Sequence, residues 1–205
     1  MDAKRAGSRR DAVANRTALL DAAAVVLLRE GPRVSLDVVA REARVGIATL
    51  YRNFANRDEL FGAVARRAYE TVAALADEAA SSERAPLEAV ATFFSRVVEA
   101  EPFSALPLIG ASAEGEYEPI GERISDALDA VLRRGMEDGS IRADASSDDL
   151  VVAGAMLARA QLPAADWGPA AGRLIGIIVD GLRERPDVRP LPPPPGDTYT
   201  DPDGP

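Results

Sequence analysis

Six residues in the first third of the chain carry groups that can grip a polyanion and read a base edge: Ser35, Arg44, Thr49, Tyr51, Arg52 and Arg57. Guanidinium and hydroxyl groups hydrogen-bond both to phosphate oxygens and to the edges of bases in a DNA groove. Thr49 and Arg52 are the candidates for base edges, with Ile47 or Ala48 against a thymine methyl group. Ser35, Arg44, Tyr51 and Arg57 are the candidates for phosphate. This is the chemistry of recognition, not of bond breaking.

Those residues need elements to position them. The stretch SLDVVAREARVGIATLYRNF, Ser35 to Phe54, predicts two short helices joined by a tight turn. The first runs from Ser35 to Glu42 or Ala43, the second from about Gly46 to Asn53. Ser35 is placed as an N-cap whose hydroxyl accepts a first-turn amide, and Asp37 adds negative charge at the same end. Leu36, Val39 and Ala40 share one face, Val45 plugs the turn, and Leu50 returns to the same small core. A longer helix from Asp11 to Glu30, with Val13, Thr17, Leu20, Ala24 and Leu27 inward, is stopped by Gly31-Pro32 and completes a three-helix head. A short helix pair is equally at home as a mere packing unit, so pattern alone does not decide the matter.

The particular residues carry more. Val39, Ala43, Val45, Thr49, Leu50, Tyr51, Arg52 and Phe54, followed by Arg57, Asp58, Glu59, Leu60 and Phe61, resemble the DNA-binding domain of the TetR family of one-component transcriptional regulators. The resemblance spans roughly residues 12 to 62. The chain departs from the family pattern in two ways. Arg44 stands where a turn glycine is usual, and Asn53 and Ala55 replace the common His-Pro pair. The resemblance implies an all-α protein with a helix-turn-helix head and a helical body for ligand binding and dimerisation. It also implies repression as the usual mode.

Charge agrees with that division. Residues 1–57 hold 11 Lys and Arg against 6 Asp and Glu, and the remainder holds 13 against 27. A basic head on an acidic body suits approach to a polyanion from one end. The chain of 205 residues has no cysteine and no histidine, which removes thiolate metal sites, disulfides and the commonest general base. No metal ligand set, glycine-rich phosphate loop or nucleophile–base pair stands out, so neither an enzyme nor a cofactor is expected. No apolar run approaches the ~20 residues that span a bilayer, and the N-terminus lacks a signal-peptide core, so a cytoplasmic protein is expected.

The expected organisation is a disordered basic arm at 1–10, the helix-turn-helix domain at 11–56, the helical body at 57–185 and a Pro-rich disordered tail at 186–205. Asn56 caps a long helix from Arg57 to about Ala80, with Leu60, Val64, Ala68, Val72, Leu75 and Ala79 buried. Further helices are expected from Pro86 to about Glu101, Pro119 to about Glu137, Asp148 to Ala160 and Trp167 to Arg183, with a short or kinked one around Pro107. Ser146 or Ser147 would cap the third of these. Small residues in the last two, among them Gly154, Gly172, Gly176 and Gly181, fit either ordinary core packing or a two-fold four-helix interface. Resemblance to the family favours the interface, and hence a homodimer.

Phe93, Phe94, Phe103, Leu106, Ile109, Tyr117, Met156 and Trp167 are bulky residues of the body. They form its core or line an apolar ligand pocket. The resemblance implies an inducer pocket near the kinked segment 102–110, taking an apolar small-molecule effector. Arg96, Ser104, Ser112, Gln161 or backbone would supply its polar contacts. The partners expected are therefore double-stranded DNA, that effector and a second copy of the chain, with no membrane. The rival expectation is an all-helical small-molecule-binding or assembly protein without sequence-specific DNA binding.

Overall fold

A computed structural model of the chain describes residues 2–100, 117–159, 164–187 and 189–192. Among them are eight helices and no strand: α1 Asp2–Glu30, α2 Leu36–Glu42, α3 Ile47–Asn53, α4 Arg57–Ser81, α5 Pro86–Glu99, α6 Glu118–Glu137, α7 Ser147–Arg159 and α8 Ala164–Gly181. The chain is all-α. It divides into two compact units, one of residues 1–75 and 96–123, the other of 76–95 and 124–205.

In the first unit, α1, α2, α3 and the start of α4 close on one core. Leu19, Ala23, Val26 and Leu27 of α1 meet Val34, Val39, Leu50, Phe54, Leu60 and Val64 there. The buried face of α1 is wider than expected and starts later: Leu20, Ala24 and Leu27 pack inward as expected, Leu19 and Val26 are buried beside them, and Val13 and Thr17 are exposed. The run ALLDAAAVVLL is apolar nearly all round, so its period does not single out one face. The helix also begins at Asp2 rather than near Asp11, taking in the residues expected to form a disordered arm. Ala and Arg are strong helix formers and no proline intervenes, so nothing local stops the helix extending backwards. Gly31 ends it with φ +81°, its amide donating to Leu27 O at 2.8 Å.

The second unit has its own core, built on Phe93, Phe94, Leu128, Val131, Leu132, Ile141 and Leu150. Gly135 lies so close to Ile141 that a Cβ there would stand 2.5 Å from its side chain. Ser146 caps α7 reciprocally: Asp149 N–H donates to Ser146 Oγ (3.4 Å), and Asp149 Oδ2 accepts from Ser146 N–H (2.9 Å).

The last described residues are tied to this unit. Arg142 is buried and donates to Asp144 from Nε (2.5 Å) and Nη2 (2.9 Å), and to Arg189 O (2.7 Å). Leu191 N–H donates to Asp144 Oδ2 at 2.7 Å. The segment up to Leu191 is thus held, where the whole of 186–205 was expected outside the fold. A buried guanidinium and its carboxylate supply the acceptor and donors that a proline-bearing segment can use without a helix or sheet.

Candidate nucleic-acid interface

The turn between α2 and α3 is a Schellman motif. Val45 N–H donates to Ala40 O and Arg44 N–H to Arg41 O, both at 3.0 Å, closing the end of α2. The geometry demands a left-handed residue after the cap, and Arg44 takes it with φ 56°. Glycine meets that demand without strain, whereas a residue with a Cβ is strained there. The side chain of Arg44 is exposed, and Val45 packs onto the core as expected.

α3 buries Leu50 completely and turns Ile47, Ala48, Tyr51 and Arg52 to solvent. Ile47 is 36% exposed and Tyr51 53%. Thr49 is half-buried, and its hydroxyl accepts from Arg52 Nη2 at 2.8 Å. Asn53 Nδ2 donates back to Thr49 O at 2.8 Å. Five of the eight expected contact residues therefore share one two-turn helix.

Two of the remaining three differ from expectation. Ser35 occupies the N-cap position of α2 with extended backbone, but its hydroxyl makes no capping hydrogen bond; it stays exposed. Arg57 was expected on phosphate. Its Nη1 instead donates to Pro32 O at 2.7 Å and its Nη2 to Val34 O, with the guanidinium over the Phe61 ring. The carbonyls of the α1–α2 turn have no helix partner, and Arg57 at the start of α4 is within reach of them. Asn56 and Glu59 start that helix as a capping pair: Glu59 N–H donates to Asn56 Oδ1 (2.8 Å) and Ala55 N–H to Glu59 Oε2 (2.6 Å).

Arginines brace this head at other points that sequence reasoning missed. Arg29 of α1 pairs with Glu42 of α2 at 3.0 Å, and Arg67 of α4 with Asp21 of α1 at 2.7 Å. Arg16 of α1 donates to Asn53 O at 3.0 Å and lies over the Phe54 ring. Each exposed pair is worth little alone, about 1 kcal/mol or less. Together they tie α1 to all three following helices. Their separations in sequence, 13 to 46 residues, left no local pattern to find.

A scan of family models matches residues 19–64 to "Bacterial regulatory proteins, tetR family" and residues 85–184 to "Transcriptional regulator SbtR-like, C-terminal domain". The crystal structure of the TetR transcriptional regulator SCO0520 from Streptomyces coelicolor is 31% identical, covering 82% of this chain and 98% of that one, with a TM-score of 0.60.

The chain belongs to the TetR family.

TetR regulators are DNA-binding transcription factors that bind small-molecule effectors and act as dimers, and their helix-turn-helix domain is the head described above. A TetR regulator from Mycobacterium vanbaalenii is 27% identical over 85% of this chain and 98% of that one, with a TM-score of 0.59. PfmR from Thermus thermophilus, 20% identical over 81% and 99% of the two chains, shares the fold with a TM-score of 0.65. No curated protein matches the sequence.

In the body of this TetR regulator, Phe93 and Phe94 are buried against one another, ring centroids 5.6 Å apart. Trp167 is half-buried. Met156, expected in the pocket, is 68% exposed: it lies one turn beyond Val152 on the outward face of α7, while Gly154 and Leu157 face inward. Phe103, Leu106, Ile109, Ser104, Ser112 and Gln161, and with them the segment 102–110, lie outside the described residues. In the first unit Tyr117 reaches α4, stacking on Tyr69 at 5.0 Å and donating its hydroxyl to Gly62 O at 2.9 Å. In the second, Pro86, Leu87, Ala91, Asp138, Val179 and Arg183 border an open cleft of about 430 Å³ that includes none of the expected pocket residues.

The stripe of small residues divides. Gly154 is buried, where a Cβ would touch Phe94 at 3.7 Å, so it serves packing inside the unit. Gly172, Gly176 and Gly181 are exposed, with open space where a Cβ would stand. Leu174 and Ile177 of α8 are exposed with them, as are Val151, Val152 and Met156 of α7.

Proposed function

We propose that the chain is a homodimeric repressor that holds a pseudo-palindromic operator with one α3 from each protomer and releases it when an apolar small molecule occupies the helical body. The observation that carries the DNA role is the outward face of α3, where Ile47, Ala48, Tyr51 and Arg52 are exposed beside Thr49. A major groove admits one such helix, and these side chains offer base-edge donors, a phosphate grip and a methyl contact. Arg44 stands beside them for phosphate. Ser35, with its hydroxyl uncommitted to a cap, keeps the same assignment. Arg57 acts through the turn it holds.

One two-turn helix reads few bases, so selectivity calls for two, placed about 34–36 Å apart on one side of the duplex. The exposed Val152, Met156, Leu174 and Ile177 on α7 and α8, with glycines that allow close approach, support these helices as the dimer interface. Release follows from the length of α4. Its 25 residues span roughly 37 Å, and it starts at the head, so a small tilt changes the separation of the two α3 helices. The effector shifts this equilibrium only by its difference in affinity for the two forms. Binding to the chromosome places the protein in the cytoplasm.

Selection of sheared genomic DNA by the purified protein at physiological salt tests the proposal. The expected result is enrichment of a few fragments sharing an inverted repeat. Equal retention of all fragments, vanishing with salt, would refute operator reading. Ile177→Glu on the dimer face is expected to yield monomers by sedimentation and to lose the operator. A dimeric Ile177→Glu protein would move the interface elsewhere.

A further inference from the structure

We infer that Arg16, on α1 and outside the helix pair, is a positioning residue for operator selectivity: it fixes the C-terminal end of α3 and so the angle at which Arg52 and Thr49 meet the groove. The inference rests on α3 being the helix that reads DNA. Two contacts carry it. Arg16 Nη1 donates to Asn53 O at 3.0 Å, and its guanidinium carbon lies 4.2 Å from the centroid of the Phe54 ring.

Asn53 is the last residue of α3, and the carbonyls of a last helical turn have no partner further along the helix. A guanidinium there satisfies one of them and puts a cation at the negative end of the helix dipole. Phe54 is 1% exposed, so its ring is a fixed platform, and a cation stacked on it is held in turn. α3 has only 7 residues. Its N-terminal end is set by the turn at Val45 and Gly46. Its other end is set by Phe54 beneath and Arg16 beside it. Arg52 precedes Asn53 by one residue, so a shift of that end moves the reading guanidinium directly. The contacts of Arg16 point into the head, at a carbonyl and a buried ring, which is the geometry of a brace.

The test uses the full chain and an operator recovered by selection. Operator and random-sequence affinities are measured across salt for the wild type, Arg16→Gln and Arg16→Lys. Arg16→Gln is expected to lose operator affinity roughly tenfold, the worth of one hydrogen bond to a charged group. The loss falls on the operator-over-random ratio and leaves the salt slope unchanged. Arg16→Lys, which still donates to Asn53 O and keeps a cation over Phe54, is expected to recover most of that ratio. A salt slope lower by about one in Arg16→Gln would make Arg16 a phosphate ligand and overturn the inference. Unchanged operator affinity would overturn it too. Should Arg16→Gln fail to fold, Arg16→Met keeps the stem over the ring, removes the donor and gives the same readings. A wild type without sequence preference would overturn the reading role of α3, and this inference with it.

Discussion

Arg52 donates from Nη2 to the hydroxyl of Thr49 across 2.8 Å, so the two candidates for base reading form one unit on α3. The hydroxyl aims the guanidinium. Arg52→Ala is expected to cost about 1–3 kcal/mol of discrimination at one base pair of each half-site. Thr49→Val removes the aiming hydroxyl and costs less. The double variant costs less than the sum, because the partners share one interaction. Competition among operator variants at a fixed salt concentration measures all three. Equal loss on every variant for Arg52→Ala would assign that arginine to phosphate.

The left-handed Arg44 makes Arg44→Gly a stabilising change. Relief of the Cβ strain is worth about 1 kcal/mol, against which glycine adds backbone entropy to the unfolded chain. The net gain expected is a few tenths of a kcal/mol, or about 1–2 °C in melting temperature for a chain of this size. The same variant is expected to bind all DNA less tightly, with a salt slope lower by about one. Calorimetry and salt titration read the two effects separately, and a lower melting temperature would contradict the strain argument.

Gly135→Ala forces a methyl group against the Ile141 side chain, whose Cβ cannot swing away. Overpacking of this kind costs about 1–3 kcal/mol. Paired with Ile141→Val, the cost is expected to shrink, which chemical denaturation of the single and double variants will show.

Acid is expected to loosen the C-terminal tie. Arg142, and after it the Leu191 amide, hold the Asp144 carboxyl well below the usual carboxylate range. The folded value lies below the unfolded one, near 3.9, so the contribution is fully present above that pH. It is lost as the pH falls towards the folded value. Hydrogen exchange at the Leu191 amide, taken relative to its intrinsic rate at each pH, is expected to be steady above about pH 5 and to quicken below about pH 4. Asp144→Asn should quicken it at neutral pH and flatten the acid dependence.

The parts of the head legible in sequence were those with short-range signals. The stop at Gly31, the plug at Val45, the cap at Asn56 and the α4 stripe from Leu60 to Ala79 each follow from neighbours within a turn or two. The Ser35 cap was right in place and wrong in bonding, since cap position follows from backbone geometry and the hydroxyl has a choice of rotamers. What escaped was long-range. Arg57 looked like a phosphate contact, and nothing in the pattern singled out Arg16. Only the folded head shows which carbonyl each one meets, 25 and 37 residues away. Met156 looked like a pocket residue because type and element do not say which way a helix faces.

The hold of Arg142 and Asp144 on residues 189–191 decides where this protein can be shortened. Cutting at residue 185, where the last helix has already ended, removes Arg189 O from a buried guanidinium and the Leu191 amide from its carboxylate. A chain ended after Pro192 keeps both. A tag or fused domain attached beyond that point hangs from a knot at the body's own surface, so its pull falls on Asp144 before it reaches α8.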